Sequence, residues 1–366
     1  MPISAVDAIS PALQHTKKQL FQPFRLGQWT KLAVVGLLAG ELGSGGGGFN
    51  GNLGNNFPRS GGSHHFLAQS LPPLPNFALY AGLIAVLVAA ALLLGIIFLY
   101  VSSVMRFILF DSVLTQECRV SESWNRRQSP GLRYFVWKLL YLVVTVAFLL
   151  LLIGIPAAFA FAEGWFKQPR EHLAPLILAG VVLFLIALIF CVIAAVVFVL
   201  TKDFVVPQMA LEGIGPFEGW RRLWLMMSTQ KGDYAIYVGM KAIMALVAAV
   251  VIGIVTVILA LFFVVPAVAL GVVGAIAGQS AGFTWNPYTV TLAVIVGCFL
   301  LFFFLYLVAL VSVPVIVFFP AYSIYFFAGR YPALSAALYA PRVPDLTPGA
   351  AGHGEPPLSP APATTG

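Results

Sequence analysis

Few residues in this 366-residue chain are of the types that carry out chemistry: five His, three Cys and thirteen Asp plus Glu. His64-His65 comes nearest to a metal-ligand pair, but a metal needs further ligands. Of the other histidines, His15, His172 and His353, only His172 is expected on the same side. Cys118, Cys191 and Cys298 do not make a disulfide framework. Gly43-x-Gly45-x-x-Gly48 formally matches a dinucleotide fingerprint. That fingerprint needs a strand before it and a helix after it, whereas this one sits in a glycine run. No nucleophile, acid and base assemble, so no catalytic residue, metal ligand or cofactor is expected, and neither is enzyme activity. Two candidates are left. One is Glu41, which reads as an ion or proton relay, as a partner for a cation on another span, or as a headgroup-level residue at the outer end. The other is a pair of short clusters, Trp124, Arg126, Arg127 and Trp220, Arg221, Arg222. Arg near an anionic surface gains about 1 kcal/mol per residue, and an indole prefers the headgroup zone.

The elements that position these groups follow from composition. Hydrophobic residues make up 60% of the chain and charged residues 9%, against about a quarter charged in a soluble domain. Mean hydropathy is +0.95. A soluble or a disordered chain is excluded, and an all-α polytopic membrane protein is expected. Charged groups are costly inside a bilayer, so charge-free runs mark the crossings. These runs cover Ser60–Met105, Leu139–Ala162, His172–Thr201 and Ala242–Gly329. The last holds 88 residues and is interrupted by the turn-rich stretch Gln279–Tyr288, so it supplies two crossings. Spans are expected over Phe77–Val104, Tyr134–Ala162, Ala174–Leu200, Tyr234–Val264 and Val290–Phe318. Tyr234 to Gly278 is too long for one crossing, and a break near Pro266 is expected, with 265–278 as a short external or re-entrant piece.

A first span over 23–42 is weaker, with Arg25, Lys31 and Glu41 inside it. Charge sorting supports it. With six crossings, all but Arg59, Lys167 and Arg170 of the 20 Lys and Arg fall on one side. Positive residues stay cytoplasmic, which places both termini inside. Lys138 and Lys241 lie early in their spans and are expected to snorkel.

The rest of the chain divides around these spans. Residues 1–22 read as an interfacial amphipathic helix with Ile9, Leu13, Leu20 and Phe21 on its apolar side. Residues 43–76 form a Gly/Ser/Asn-rich external loop. Residues 77–330 form a five-span membrane domain. The tail 343–366 is expected to be disordered. No cleavable signal peptide is expected, because some thirty residues precede the first apolar stretch.

Within the membrane domain, Glu122-Ser-Trp124-Asn-Arg126-Arg127 resembles Glu218-Gly-Trp220-Arg221-Arg222. Phe107–Leu114 lines up with Phe204–Leu211. This points to an internal repeat over about 77–162 and 174–264, in which each span leads through a cytoplasmic elbow into the next. Ser121 is a candidate N-cap for the first elbow, and Gly215-Pro216 opens the second. Phe217, Trp220 and Trp224 are expected to face acyl chains.

Span, elbow and span, with Phe204-Val-Val-Pro207 and Leu211-Glu-Gly-Ile-Gly-Pro-Phe-Glu-Gly-Trp-Arg-Arg-Leu-Trp224 between them, resembles a bacterial multi-span family of unknown function. That family includes the membrane domain attached to some glycerophosphodiester phosphodiesterases. The resemblance implies a bacterial inner-membrane module. It does not imply hydrolase activity, since the catalytic barrel of those fusions is a separate domain. The expected role is non-enzymatic, with membrane lipids and a cytoplasmic or membrane protein as partners and no nucleic acid. The alternative is a transporter or permease for a lipidic or small apolar solute, which predicts a cavity at mid-membrane.

Overall fold

The computed structural model describes residues 3–41, 77–165, 173–280 and 287–339. The glycine-rich loop with its histidines, the tail after Arg342, and most of the turn before Tyr288 lie outside the described residues. All regular structure among the described residues is helical. In chain order the helices are α1 (Ile9–Phe21), α2 (Leu26–Ala39), α3 (Phe77–Thr115) and α4 (Val120–Ala162). They continue with α5 (Leu173–Leu200), α6 (Val206–Glu212), α7 (Pro216–Thr229), α8 (Lys231–Ser280), α9 (Pro287–Ala328) and α10 (Pro332–Tyr339). A π-helical turn, Thr201–Val205, joins α5 to α6 without a break.

Five segments are long and apolar enough to cross a bilayer: Gly82–Thr115, Val120–Ala162, Leu173–Glu212, Lys231–Gly274 and Tyr288–Ala328. Each is longer than the roughly 20 residues that a hydrocarbon core of about 30 Å requires. The surplus lies at one end. Leu83, Leu93 and Phe98 on α3 are exposed, whereas Phe107, Ile108 and Leu109 on the same helix are fully buried. The long helices therefore present apolar arms whose surface suits lipid, and they converge at their other ends into a packed bundle. Phe204 sits at the centre of that bundle, against Tyr234 at 5.3 Å, Tyr237 and Phe327 at 5.0 Å, and Phe326 at 5.9 Å.

The segment expected as a first crossing over 23–42 forms a shorter apolar helix that is not among these five. α2 has 14 residues, about 21 Å at 1.5 Å per residue. It lies antiparallel beside the buried end of α3: Gln28 donates to the Gln116 carbonyl at 2.9 Å, and Gly40 lies beside Ser102. The N-terminal cations stay at the end of the molecule where Arg106 lies.

α1 corrects the expected amphipathic helix. Its buried face carries Ala12, His15, Thr16, Gln19 and Leu20, while Leu13 and Phe21 are exposed. Most of its buried polar atoms are bonded, as burial demands, with Gln19 Oε1 an exception. His15 Nε2 lies 2.8 Å from the Val113 carbonyl, Gln19 donates to the Ser112 carbonyl at 2.8 Å, and Tyr322 donates to the Ala5 carbonyl at 3.0 Å.

The expected break near Pro266 does not occur, and α8 runs through it. Part of its length lies in the buried bundle, to which Tyr234, Tyr237 and Lys241 belong. α9 likewise contains Pro314 and Pro320. The first elbow is not a separate helix, since α4 begins at Val120 and continues into the span. Its N-cap position is Arg119, with no side-chain cap, and not Ser121. The second elbow is separate. Gly215 is its N-cap and Pro216 its first residue, as expected.

Candidate functional site

The aligned segments share a local geometry. Phe107 stands edge-on to Tyr134 at 5.9 Å and 85°, and Phe204 stands edge-on to Tyr234 at 5.3 Å and 82°. Each Tyr lies on the long helix that follows its elbow. Fully buried aromatic pairs of this kind contribute about 0.5–1.5 kcal/mol beyond their area.

The elbow residues divide into an engaged and an exposed set. Arg127 grips Asp111 through two bonds of 2.7 Å and donates to the Ala210 carbonyl at 2.6 Å. Arg133 donates to the Gly213 carbonyl at 2.8 Å. The first elbow thus caps the C-terminus of α6 with two cations, where free carbonyls and the helix dipole favour positive charge. Gly213 has φ +68° and closes that helix, a conformation that glycine adopts without strain. Arg126 reaches Asp111 at 3.2 Å but is 60% exposed. Trp124 is half-buried against the bundle.

In the second elbow, Trp220 is half-buried, and its indole donates to Thr201 Oγ1 at 3.0 Å. It does not face acyl chains as expected. Arg222 pairs with Glu212 and with Glu218, the latter at 3.0 Å. Arg221 is 75% exposed and bonds Glu218 at 3.1 Å. Glu212 also accepts from Tyr331. Burial and then this bond push the Tyr331 hydroxyl above the ordinary tyrosine range. Phe217 and Trp224 are exposed, at 68% and 66%.

A second constellation is one the sequence reading did not assemble. Glu41, on the turn after α2, pairs with Arg106 of α3 and with Lys202 of the π-helical turn, the latter at 2.7 Å. Asp203, the next residue, pairs with Lys241 of α8 and accepts from Tyr237 at 2.9 Å. Arg106 Nη2 lies 3.7 Å from Asp203. All five charged side chains are buried. Lys138 of α4 donates to Ser102 at 3.1 Å.

Glu41 is therefore a partner for cations on other helices and not a headgroup residue at the far end. Lys241 does not snorkel, because Asp203 and the ring of Tyr237 enclose it. The signal was present in the sequence. Arg106 closes one apolar run, and Lys202-Asp203 closes another with adjacent opposite charges. Each was read as a span end, and span ends alone do not show which charges meet. The π-helical turn carrying Lys202 and Asp203 adds weight, since such turns concentrate at functional sites.

Residues 3–337 match the sequence profile of a family of unknown function, DUF7544. The chain belongs to that family. No curated protein and no solved structure matches the chain. Membership of DUF7544 covers nearly all the described residues and brings no activity with it.

Proposed function

We propose that this DUF7544 protein is a non-enzymatic, multi-pass module of a bacterial inner membrane with both termini cytoplasmic. Its elbow helices contact anionic lipid at the cytoplasmic face. The observation that carries this reading is the outer face of α7. Phe217, Arg221, Trp224 and Leu225 fall at i, i+4, i+7 and i+8, which places them on one side of a helix. All four are well exposed. Gly219 and Leu223 on the opposite side are buried. An exposed apolar strip with a cation beside it is the pattern of a helix lying in the headgroup zone. Arg126 extends the exposed charge at the first elbow. The resemblance to the membrane domain of glycerophosphodiester phosphodiesterases supports the inner-membrane assignment through the motif at 204–224 alone.

Tryptophan quenching tests the reading. In nanodiscs of phospholipids brominated on their acyl chains, Trp224→Phe should lower the quenched fraction of emission. An unaltered quenched fraction would refute membrane contact at α7, and protection of Trp224 only with a co-purifying protein would assign the face to a partner. A permease for apolar solutes fits less well. The cavity between α2, α3, α4 and α5 is lined by Arg106, Lys138 and Lys202, and an apolar solute gains nothing from three cations.

A further inference from the structure

That cavity carries an inference independent of the elbows. It holds about 220 Å³ and opens between the turn after α2 and helices α3, α4 and α5. Its polar wall is formed by Arg106, Lys138, Lys202 and Ser102, and its apolar wall includes Phe98 and Phe198.

Charge is unbalanced around it. Arg106, Lys138, Lys202 and Lys241 bring four cations. Glu41 and Asp203 are the carboxylates that pair with them among the described residues. Lys138 bonds only the neutral Ser102 hydroxyl and meets no carboxylate among the described residues. Uncompensated charge out of water is costly by several kcal/mol per ion unless a counter-charge arrives. The arrangement favours an anion with several oxygens, because Arg and Lys donors converge from three helices on one space.

Depth narrows the class. Counted along the helices from their far ends, Ser102 is 25 residues from Phe77 and Lys138 is 24 from Ala162, about 38 Å and 36 Å respectively. The hydrocarbon core is about 30 Å thick. Both residues therefore lie at the level of one leaflet's headgroups. Phe98, on the apolar wall, is 54% exposed on the arm surface, so the cavity communicates with the lipid-facing side.

We propose that this cavity binds a phosphate oxyanion, held by Arg106, Lys138 and Lys202. The source is either the headgroup of an anionic phospholipid, with its chains leaving past Phe98, or free phosphate. The test uses the full chain purified in mild detergent, with two variants. Lys138→Gln removes a cation. Ala39→Trp occupies the cavity and leaves every charge in place, so it decides the matter if the first variant is not monodisperse.

In one arm, native mass spectrometry follows retention of phosphatidylglycerol against diacylglycerol with the same chains. In the other, thermal unfolding is compared in inorganic phosphate and in chloride at equal ionic strength. The expected result is that wild type retains phosphatidylglycerol but not diacylglycerol, or is stabilised by phosphate, and that both variants lose that signal at least tenfold. Whichever arm responds names the source. Absence of both signals in wild type, equal retention of diacylglycerol, or signals unchanged in the variants would overturn the proposal. Lys17→Gln, at an exposed position of α1 away from both the cavity and the elbows, should leave both signals intact, and loss there with Lys138→Gln unchanged would overturn it as well.

Discussion

Glu41 and Arg106 form a buried ion pair between the turn after α2 and the inner end of α3, with side chains 1% and 6% exposed. The same carboxylate takes the Lys202 ammonium at 2.7 Å. One acid thus ties three segments that are far apart in the chain, and it supplies one of the two carboxylates that face this group of cations. Glu41→Gln leaves Arg106 and Lys202 buried without it. Breaking a buried pair on one side costs about 3–5 kcal/mol. The variant should unfold at correspondingly lower denaturant in the purified full chain. Glu41→Gln with Lys202→Met, which removes a cation as well, should recover part of the loss. A single variant as stable as wild type would contradict the role given to Glu41.

Arg126 and Arg127 are neighbours with opposite expectations. Arg127 is 14% exposed and bidentate on Asp111, which is itself 7% exposed. Arg126 is 60% exposed. Arg127→Ala should destabilise by about 3 kcal/mol or more, because Asp111 is left buried and poorly paired. Arg126→Ala should cost under about 1 kcal/mol. Equilibrium unfolding of the two variants side by side checks this. Equal costs would show that the elbow cations are not divided as described.

How much of this was legible in the sequence depends on the range of the interaction. The five apolar arms were legible from charge-free runs, since the cost of a charge in hydrocarbon acts residue by residue. Gly215-Pro216 opening α7 was legible for the same reason, as a local steric rule. The number of residues in a run does not reveal which neighbour covers it. Leu32 and Val35 on α2 read as a short crossing and turn out to be buried against other helices. His15 gives no local sign of burial, because its partners, Val113 and Tyr325, lie about 100 and 310 positions away. The charge cluster was hidden similarly. Its acids and cations come from the turn after α2, from α3, from the π-helical turn and from α8, and each alone reads as an ordinary span end.

Gly36 on α2 tests that packing directly. A Cβ there would stand 2.4 Å from Ile316 Cγ2 and 2.8 Å from its Cδ1. Ile316 is 2% exposed on α9 and has little room to shift. Gly36→Ala should therefore destabilise by about 1–3 kcal/mol through overpacking, despite the better helix propensity of Ala. Gly36→Ala with Ile316→Ala should recover stability relative to the sum of the two single changes. Gly27, whose Cβ would meet nothing within 4 Å, is the control, and Gly27→Ala should be neutral or slightly stabilising. Thermal unfolding of the four variants decides whether α2 packs against α9 as described.

The three natural cysteines report on both the arms and the bundle. Cys191 and Cys298 are exposed on the long helices, α5 and α9, in stretches that face lipid. Cys118 is buried between α3 and α4, and burial pushes its thiol above the ordinary range. The thiolate is the reactive form, so Cys118 should react slowly even where water reaches the bundle surface. In intact membranes at neutral pH, none of the three should react readily with a membrane-impermeant maleimide. After denaturation in detergent all three should react. The mass increment per chain, read by mass spectrometry before and after denaturation, checks this. Prompt labelling of Cys191 or Cys298 in membranes would mean that the apolar arms line water and not lipid, which is the arrangement that a permease would need.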